Sequence, residues 1–394
     1  MLRIVLYGYC VGVRSSRELE RACTDVVAFR WLSAQQAPDF RSIGRFRGRH
    51  LAALTNVFLQ ALQLCQAAGI VSLGKVALDG TKVRANASRQ KDMSYAPLSA
   101  KQRILTDEIS ELMSEAKTVD DDEDARFCPG KRGDELPAER ANRQARASAM
   151  AVAPASLEEE AAAKARQLAH EKARKKGDDD VDITAAGDKA AAEAVPKPTE
   201  QRNFTDTDAR IMKTADGSYH YCFNAQGVVD ADHQVIIATM LINKATDIQQ
   251  LAPMIEHTQA TVGGMPAPWS ADAGYCSAAN LDHVKDIEAA DPTEFFISTR
   301  RMKHSTPIPE APRGRILANA TMSERMARKL KTKKGKKIYA RRKAIVEPVF
   351  GQIHTRQDKY VLLRGIEEAA PEWDFLAACR NLLKLHSFRI KMAS

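Results

Sequence analysis

The chain is poor in the features that mark secreted, zinc-ribbon or membrane proteins. Its seven cysteines (Cys10, Cys23, Cys65, Cys128, Cys222, Cys276 and Cys379) are odd in number, scattered and never spaced as CxxC. That argues against a disulfide framework or a zinc ribbon and fits a reducing compartment. No segment approaches the roughly 20 apolar residues of a membrane span. The opening MLRIVLYGYCVGVR lacks a cleavage-site pattern, and its basic residues follow the short apolar run. A soluble, cytoplasmic protein without a membrane partner is expected. Aromatic residues make up only 6% of the chain. Positive charge is in excess instead: 59 Lys and Arg against 50 Asp and Glu, a net charge of +9. Such a surplus favours a polyanionic partner without naming it. With 394 residues the chain has room for two or three structural units.

Composition and periodicity divide it into five segments. Residues 1–72 read as helices, with Ser15 or Ser16 as a cap before SRELERACTDVVAFRWL and a third helix in LAALTNVFLQALQLCQAAGI. Between them lie Arg41, Arg45, Arg47, Arg49 and His50, which either contact the phosphates of a duplex or face solvent. Residues 73–98 turn to strand character in GKVALDGTKV. Residues 99–200 are rich in Ala, Glu, Lys and Asp and poor in aromatics, and are expected to form an insertion of solvated helices and flexible connectors, without a second core. Strand and helix patterns resume over 201–360. GSYHYCFNAQGVVD and HQVIIATMLIN form an antiparallel pair, TDIQQLAPMIEHTQATVG a helix capped by Thr246, and APWSADAG a short strand. A helix in SAANLDHVKDIEAA, a strand in EFFISTR and a helix in KIYARRKAIVEPVFGQIHTR, kinked at Pro348, follow. Residues 361–394 are a helical tail. The order of elements matches a ribonuclease H-like mixed sheet with helices on both faces.

Three carboxylates stand in apolar surroundings: Asp79 in VALDGTKV, Asp272 in PWSADAGY and Glu347 in RRKAIVEPVFGQI. Ionised groups are seldom buried without a partner, so each calls for a cation or hydrogen-bond donors. In the expected fold the first and fourth core strands are neighbours. Asp79, at the end of the first, then meets Asp272, just past the fourth, and a late helix adds Glu347. Three acids around divalent cations suit phosphodiester chemistry. Each also has a plainer reading. Asp79-Gly80 is a favoured turn pair, Asp272 can end a strand, and Glu347 can pair with Arg342, Lys343 or His354. The run Arg325–Lys343 holds eleven basic residues and no acid, and leads into the Glu347 helix. It reads as a phosphate-contacting surface or a solvated loop. Trp269, Tyr275 and Trp373 read as core aromatics, and His233 and His257 as structural or surface residues.

Several blocks in order, ALDGTKVRANAS, NFTDTDARIMK, YCFNAQGVVD, ADAGY and RRKAIVEPVFGQI, resemble the DDE transposases of bacterial insertion sequences. The resemblance runs from about residue 5 to residue 388 and carries a helical N-terminal domain ahead of a split ribonuclease H-like core. It implies metal-dependent cleavage and strand transfer of DNA at element ends. Asp79, Asp272 and Glu347 would be the catalytic acids, holding two Mg²⁺ (or Mn²⁺) ions. It further implies duplex DNA as partner, a homodimer where two ends are synapsed, and a nucleoid location. Lys82, Arg84, Lys333, Lys334, Lys336, Lys337, Arg341, Arg342, Lys343 and His354 are the expected DNA contacts. Tyr339 and Arg342 fit loosely a Tyr-Arg-Glu-Lys signature whose last position is His354 here, a weaker phosphate anchor when neutral. Relatives of this kind have a longer lead-in before LRIVLYGYCVGVR, so the helical unit is expected to be incomplete. A DNA-binding remnant without catalysis and a nuclease of the same fold are the alternative functions.

Overall fold

The computed structural model describes residues 1–88, 92–95, 104, 138–176, 180–203, 205–300, 314–317 and 319–393. The chain divides into two compact units, Met1–Asn86 with Arg210–Ser394, and Ala87–Ala209. In the first unit a six-stranded mixed sheet is flanked by helices. Its strands are β1 (Val76–Arg84), β4 (Arg210–Lys213), β5 (Tyr219–Asp230), β6 (Ile236–Ile242), β7 (Trp269–Ala271) and β8 (Phe295–Ile297). Their path is β4-β5-β1-β7-β8, and β6 also pairs with β5. β5 runs antiparallel to β1, β4 and β6, whereas β7 and β8 continue parallel to β1. This is the mixed α/β architecture expected from the sequence, with β4 as an added short strand.

β1 does not turn at Asp79-Gly80. It continues to Arg84 because β5 pairs with it residue by residue, Asp79 opposite Gly227 and Gly80 opposite Gln226. A long partner strand overrides the local turn preference of Asp-Gly. Asp79 therefore lies inside the strand and not at its end.

The N-terminal helices α1 (Leu2–Val11), α2 (Ser16–Asp25), α3 (Val27–Leu32), α4 (Phe40–Arg49) and α5 (Leu51–Ala67) belong to the same unit as the sheet. Ser15 stands at the α2 N-cap position without a side-chain bond. α5 packs on the last helix, where Cys65 and Asn381 meet. Arg47 is turned inward, donating to Tyr9, the Arg14 carbonyl and Ser16, and is a structural residue. Arg41, Arg45 and Arg49, one helical repeat apart, stay exposed along a single stripe of α4.

The unit Ala87–Ala209 contains α6 (Ala138–Lys176) packed on α7 (Asp180–Ala192), and a two-stranded ladder of β2 (Asp92–Ser94) with β3 (Gln201–Asn203). Ala153, Leu157, Ala173 and Ile183 are buried there, and Arg202 is buried in an ion pair with Glu160. The composition predicts no core in this stretch, yet its described helices bury these four side chains without aromatics. Much of residues 99–137 lies outside the described residues.

Two of the helices expected in the second half begin or break differently from expectation. α8 (Leu251–Val262) starts after Gln250, so Thr246 is not its cap, and Asp247–Gln250 form a turn closed by the Gln250 amide on the Asp247 carbonyl at 2.9 Å. α9 (Ala278–Ala290) is capped by Ser277. α10 (Met322–Lys331) precedes α11 (Lys333–Ala340), and α12 (Arg342–Arg356) follows a break at Arg341. Pro348 sits inside α12. The Ala344 carbonyl it leaves without a helical donor accepts instead from Gln234 Nε2 at 2.9 Å. α13 (Ile366–Ala393) closes the chain and packs on β6.

Candidate active site

The parallel pairing of β1 with β7 sets Leu78 beside Ala271, so the next residues, Asp79 and Asp272, emerge side by side. Each is held by a following glycine amide. Asp79 Oδ1 accepts from Gly80 at 2.9 Å, and Asp272 Oδ1 from Gly274 at 2.7 Å as it caps the short turn Ala273–Tyr275. Burial raises the Asp79 pKa, Arg342 opposes that shift, and the neighbouring Asp272 charge adds to it. The mutual repulsion is the electrostatic mark of two carboxylates sharing one place.

Arg342, the first residue of α12, donates to Asp79 Oδ2 at 2.6 Å. Its side chain is only 7% exposed. The guanidinium supplies the positive charge that a buried carboxylate requires. Arg342 is thus bound to a predicted catalytic acid rather than displayed for DNA. Further along α12, Phe350 packs against Gly227, the β5 partner of Asp79. His354 Nε2 lies 3.4 Å from Thr81 Oγ1, two residues beyond Asp79 on the same strand. Burial lowers the His354 pKa, with a smaller contribution from Lys359, which keeps the ring neutral at pH 7.

Glu347 is placed otherwise. Its side chain is 60% exposed, and its nearest charge partner is Lys343 one turn back, at 3.9 Å. α12 turns Arg342, Val346, Val349, Phe350 and Ile353 inward, and Glu347 lies beside that stripe rather than on it. Among the described residues, no three His, Cys, Asp or Glu side chains come together as a metal-holding group. Asp79 and Asp272 supply adjacent carboxylate oxygens that suit a hard divalent cation. The three-acid set predicted from the sequence is not assembled.

The remaining predicted contacts vary. Lys82 donates to the Ala245 carbonyl at 2.9 Å and pairs with Asp247 at 3.8 Å, while Arg84 pairs with Asp216 at 3.3 Å. Lys334 pairs with Glu294, and Lys333, Lys337, Arg341 and Lys343 are exposed on α11 and the start of α12, with Lys336 partly so. Sequence reasoning missed the polar group behind the acids. Asn224 and Gln226, both fully buried on β5, each donate to Asp247 Oδ1 at 2.7 Å, and Tyr275 donates to Gln226 Oε1. The available signal was the pair of amides in the otherwise apolar YCFNAQGVVD, since a buried amide must find partners.

Comparison with known families gives two matches. Residues 1–49 match a transposase domain (DUF772), and residues 195–382 match the transposase DDE domain. The second match spans Asp272 and Glu347, while Asp79 lies between the two matched stretches. No curated protein and no solved structure matches the chain. The two matches support a DDE transposase of an insertion element. Enzymes of this class bind DNA and use divalent metal ions. No helix among the described residues is long and apolar enough to cross a membrane.

Proposed function

We propose that the chain cleaves DNA at the ends of an insertion element and transfers the freed strand, with Asp79 and Asp272 as the metal-holding pair and Glu347 as the third acid. The observation that supports this most is the parallel register delivering Asp79 and Asp272 side by side. Two bound Mg²⁺ (or Mn²⁺) ions would supply charge neutralisation at the attacking and leaving oxygens. The Gly80 and Gly274 amides orient the two carboxylates, and Arg342 balances the Asp79 charge. Arg41, Arg45 and Arg49 on α4, with the α11 lysines and Arg341, are assigned to the phosphate backbone, where contacts fix position without reading sequence. Residues 1–72 are proposed as the DNA-binding region and 99–200 as an insertion in a core that resumes at 201. A homodimer would bring two element ends together.

Replacing Asp272 by Asn tests the assignment. Nicking of an element-end duplex with Mg²⁺ should fall by at least about 10³-fold, while retention of that duplex in a gel should not change. Nicking by the variant at the wild-type rate would sink the assignment. The exposed position of Glu347 favours one second reading, a DNA-binding transposase descendant without catalysis. That protein would retard the same duplex and never nick it with Mg²⁺ or Mn²⁺.

A further inference from the structure

Asp247 approaches the two glycines that hold the acids, one carboxylate oxygen toward each. A β-carbon built on Gly80 would come within 3.0 Å of Asp247 Oδ1, and one built on Gly274 within 3.3 Å of Asp247 Oδ2. These are the glycines whose amides hold Asp79 and Asp272. Each lacks a side chain where Asp247 approaches; a β-carbon would also meet Gln226 Nε2 at 2.5 Å on Gly80 and Asp272 Oδ1 at 2.9 Å on Gly274. Oδ1 is fixed by Asn224 and Gln226 at 2.7 Å each and by Lys82 at 3.8 Å, which leaves Oδ2 against Gly274. Gln226 is itself held by the buried Tyr275 hydroxyl. A network of this kind is costly to bury unless it is satisfied, and once satisfied it is rigid.

We infer that Asp247 is a positioning residue of the metal site: it braces the β1 backbone at Gly80 and the turn at Gly274, and so sets the separation at which Asp79 and Asp272 receive a divalent cation. The inference rests on the proposed metal-holding role of that pair. Asp247 acts through Gly80 and Gly274 and is not assigned as a direct ligand. In Asp247→Asn an amide N–H can replace the acceptor facing Asn224 and Gln226, or the pair must reorient, and either way the brace loosens. Outer-shell partners of this type typically change metal affinity by about 10- to 100-fold.

The test is calorimetric titration of Mn²⁺ into the full chain without DNA, alongside thermal melting. Asp247→Asn should bind Mn²⁺ at least about tenfold more weakly than wild type, and its nicking rate should recover toward wild type at saturating Mn²⁺. A residue that merely stabilised the fold would lower the melting temperature and leave the Mn²⁺ affinity of the folded protein unmoved. Wild-type affinity in Asp247→Asn overturns the inference. Should that variant not fold, Gly80→Ala sets a methyl against Gln226 Nε2 and Asp247 Oδ1 and displaces the same network without replacing any acid. It should show the same loss, and wild-type affinity there overturns the inference equally. Failure of the wild-type chain to bind Mn²⁺ overturns the metal role of the Asp79–Asp272 pair, and with it that of Asp247. Equal binding by wild type and variants removes only Asp247.

Discussion

Asp79 and Asp272 lie on adjacent parallel strands, and Glu347 lies on a helix packed beside them; the two kinds of support place their side chains with very different certainty. On the sheet, a register is a discrete choice, since a slip by one residue would send every side chain to the opposite face. Leu78 beside Ala271 therefore commits Asp79 and Asp272 to each other. On α12 the direction of a side chain depends on the rotation of the helix, in steps of about 100° per residue. That rotation is set by the apolar stripe and by Arg342 locking onto Asp79. Glu347 is left 60% exposed beside Lys343. Glu347, the proposed third acid, is thus the member whose place a bound cation or DNA can still change.

The strongest way to break this comparison is to remove the helix acid. If Glu347 joins the pair when metal and DNA bind, Glu347→Gln loses nicking nearly as completely as Asp272→Asn, by at least about 10²-fold. Its metal-free stability should stay within about 0.5 kcal/mol of wild type, because an exposed i,i+4 pair contributes little. Undiminished nicking would mean that the sheet pair works without it.

Arg342 sharpens the contrast from the other side. Arg342→Ala leaves Asp79 buried without its cation and should cost about 1–3 kcal/mol in urea unfolding at neutral pH. It also has a pH signature. The Asp79 pKa is already raised by burial, so protons compete with metal at a higher pH than for an ordinary carboxylate. Metal binding should weaken as the pH falls toward that raised value and be complete above it. Removing Arg342, which opposes the shift, should move the loss to still higher pH. Mn²⁺ titrations at a series of pH values read both effects, and an unmoved profile would deny the Asp79–Arg342 coupling.

The smallest effect concerns the far end of α12. His354 is neutral beside Thr81, so His354→Lys adds a charge there. DNA affinity should rise a few-fold, and the salt dependence of binding should steepen by about one unit of slope. No change in slope would place His354 away from the phosphates.

How much was legible in the sequence follows the same division. The sheet order and the meeting of Asp79 with Asp272 could be read, because strand alternation and element order restrict the topology to few choices. The continuation of β1 through Asp79-Gly80 was not, because a long-range partner, β5, decides it against a local turn preference. The break at Arg341 and the satisfaction of the carbonyl opposite Pro348 were hidden for a related reason. The Gln234 side chain that satisfies the Ala344 carbonyl comes from a distant turn. Arg47 looked like its neighbours on α4 and proved to be a buried bridge to Tyr9, Arg14 and Ser16, which no local pattern distinguishes. The Asp247 brace depends on contacts among three separate elements, and only the two amides in YCFNAQGVVD hinted at it.

The measurement closest to the central claim is Mn²⁺ binding by the full chain compared with Asp79→Asn and Asp272→Asn. The account predicts binding by the wild type and a loss of at least about 10²-fold in each variant, with the fold retained. Equal binding by all three proteins would contradict it, since the cation would then sit elsewhere and the meeting of the two strand acids would be only structural.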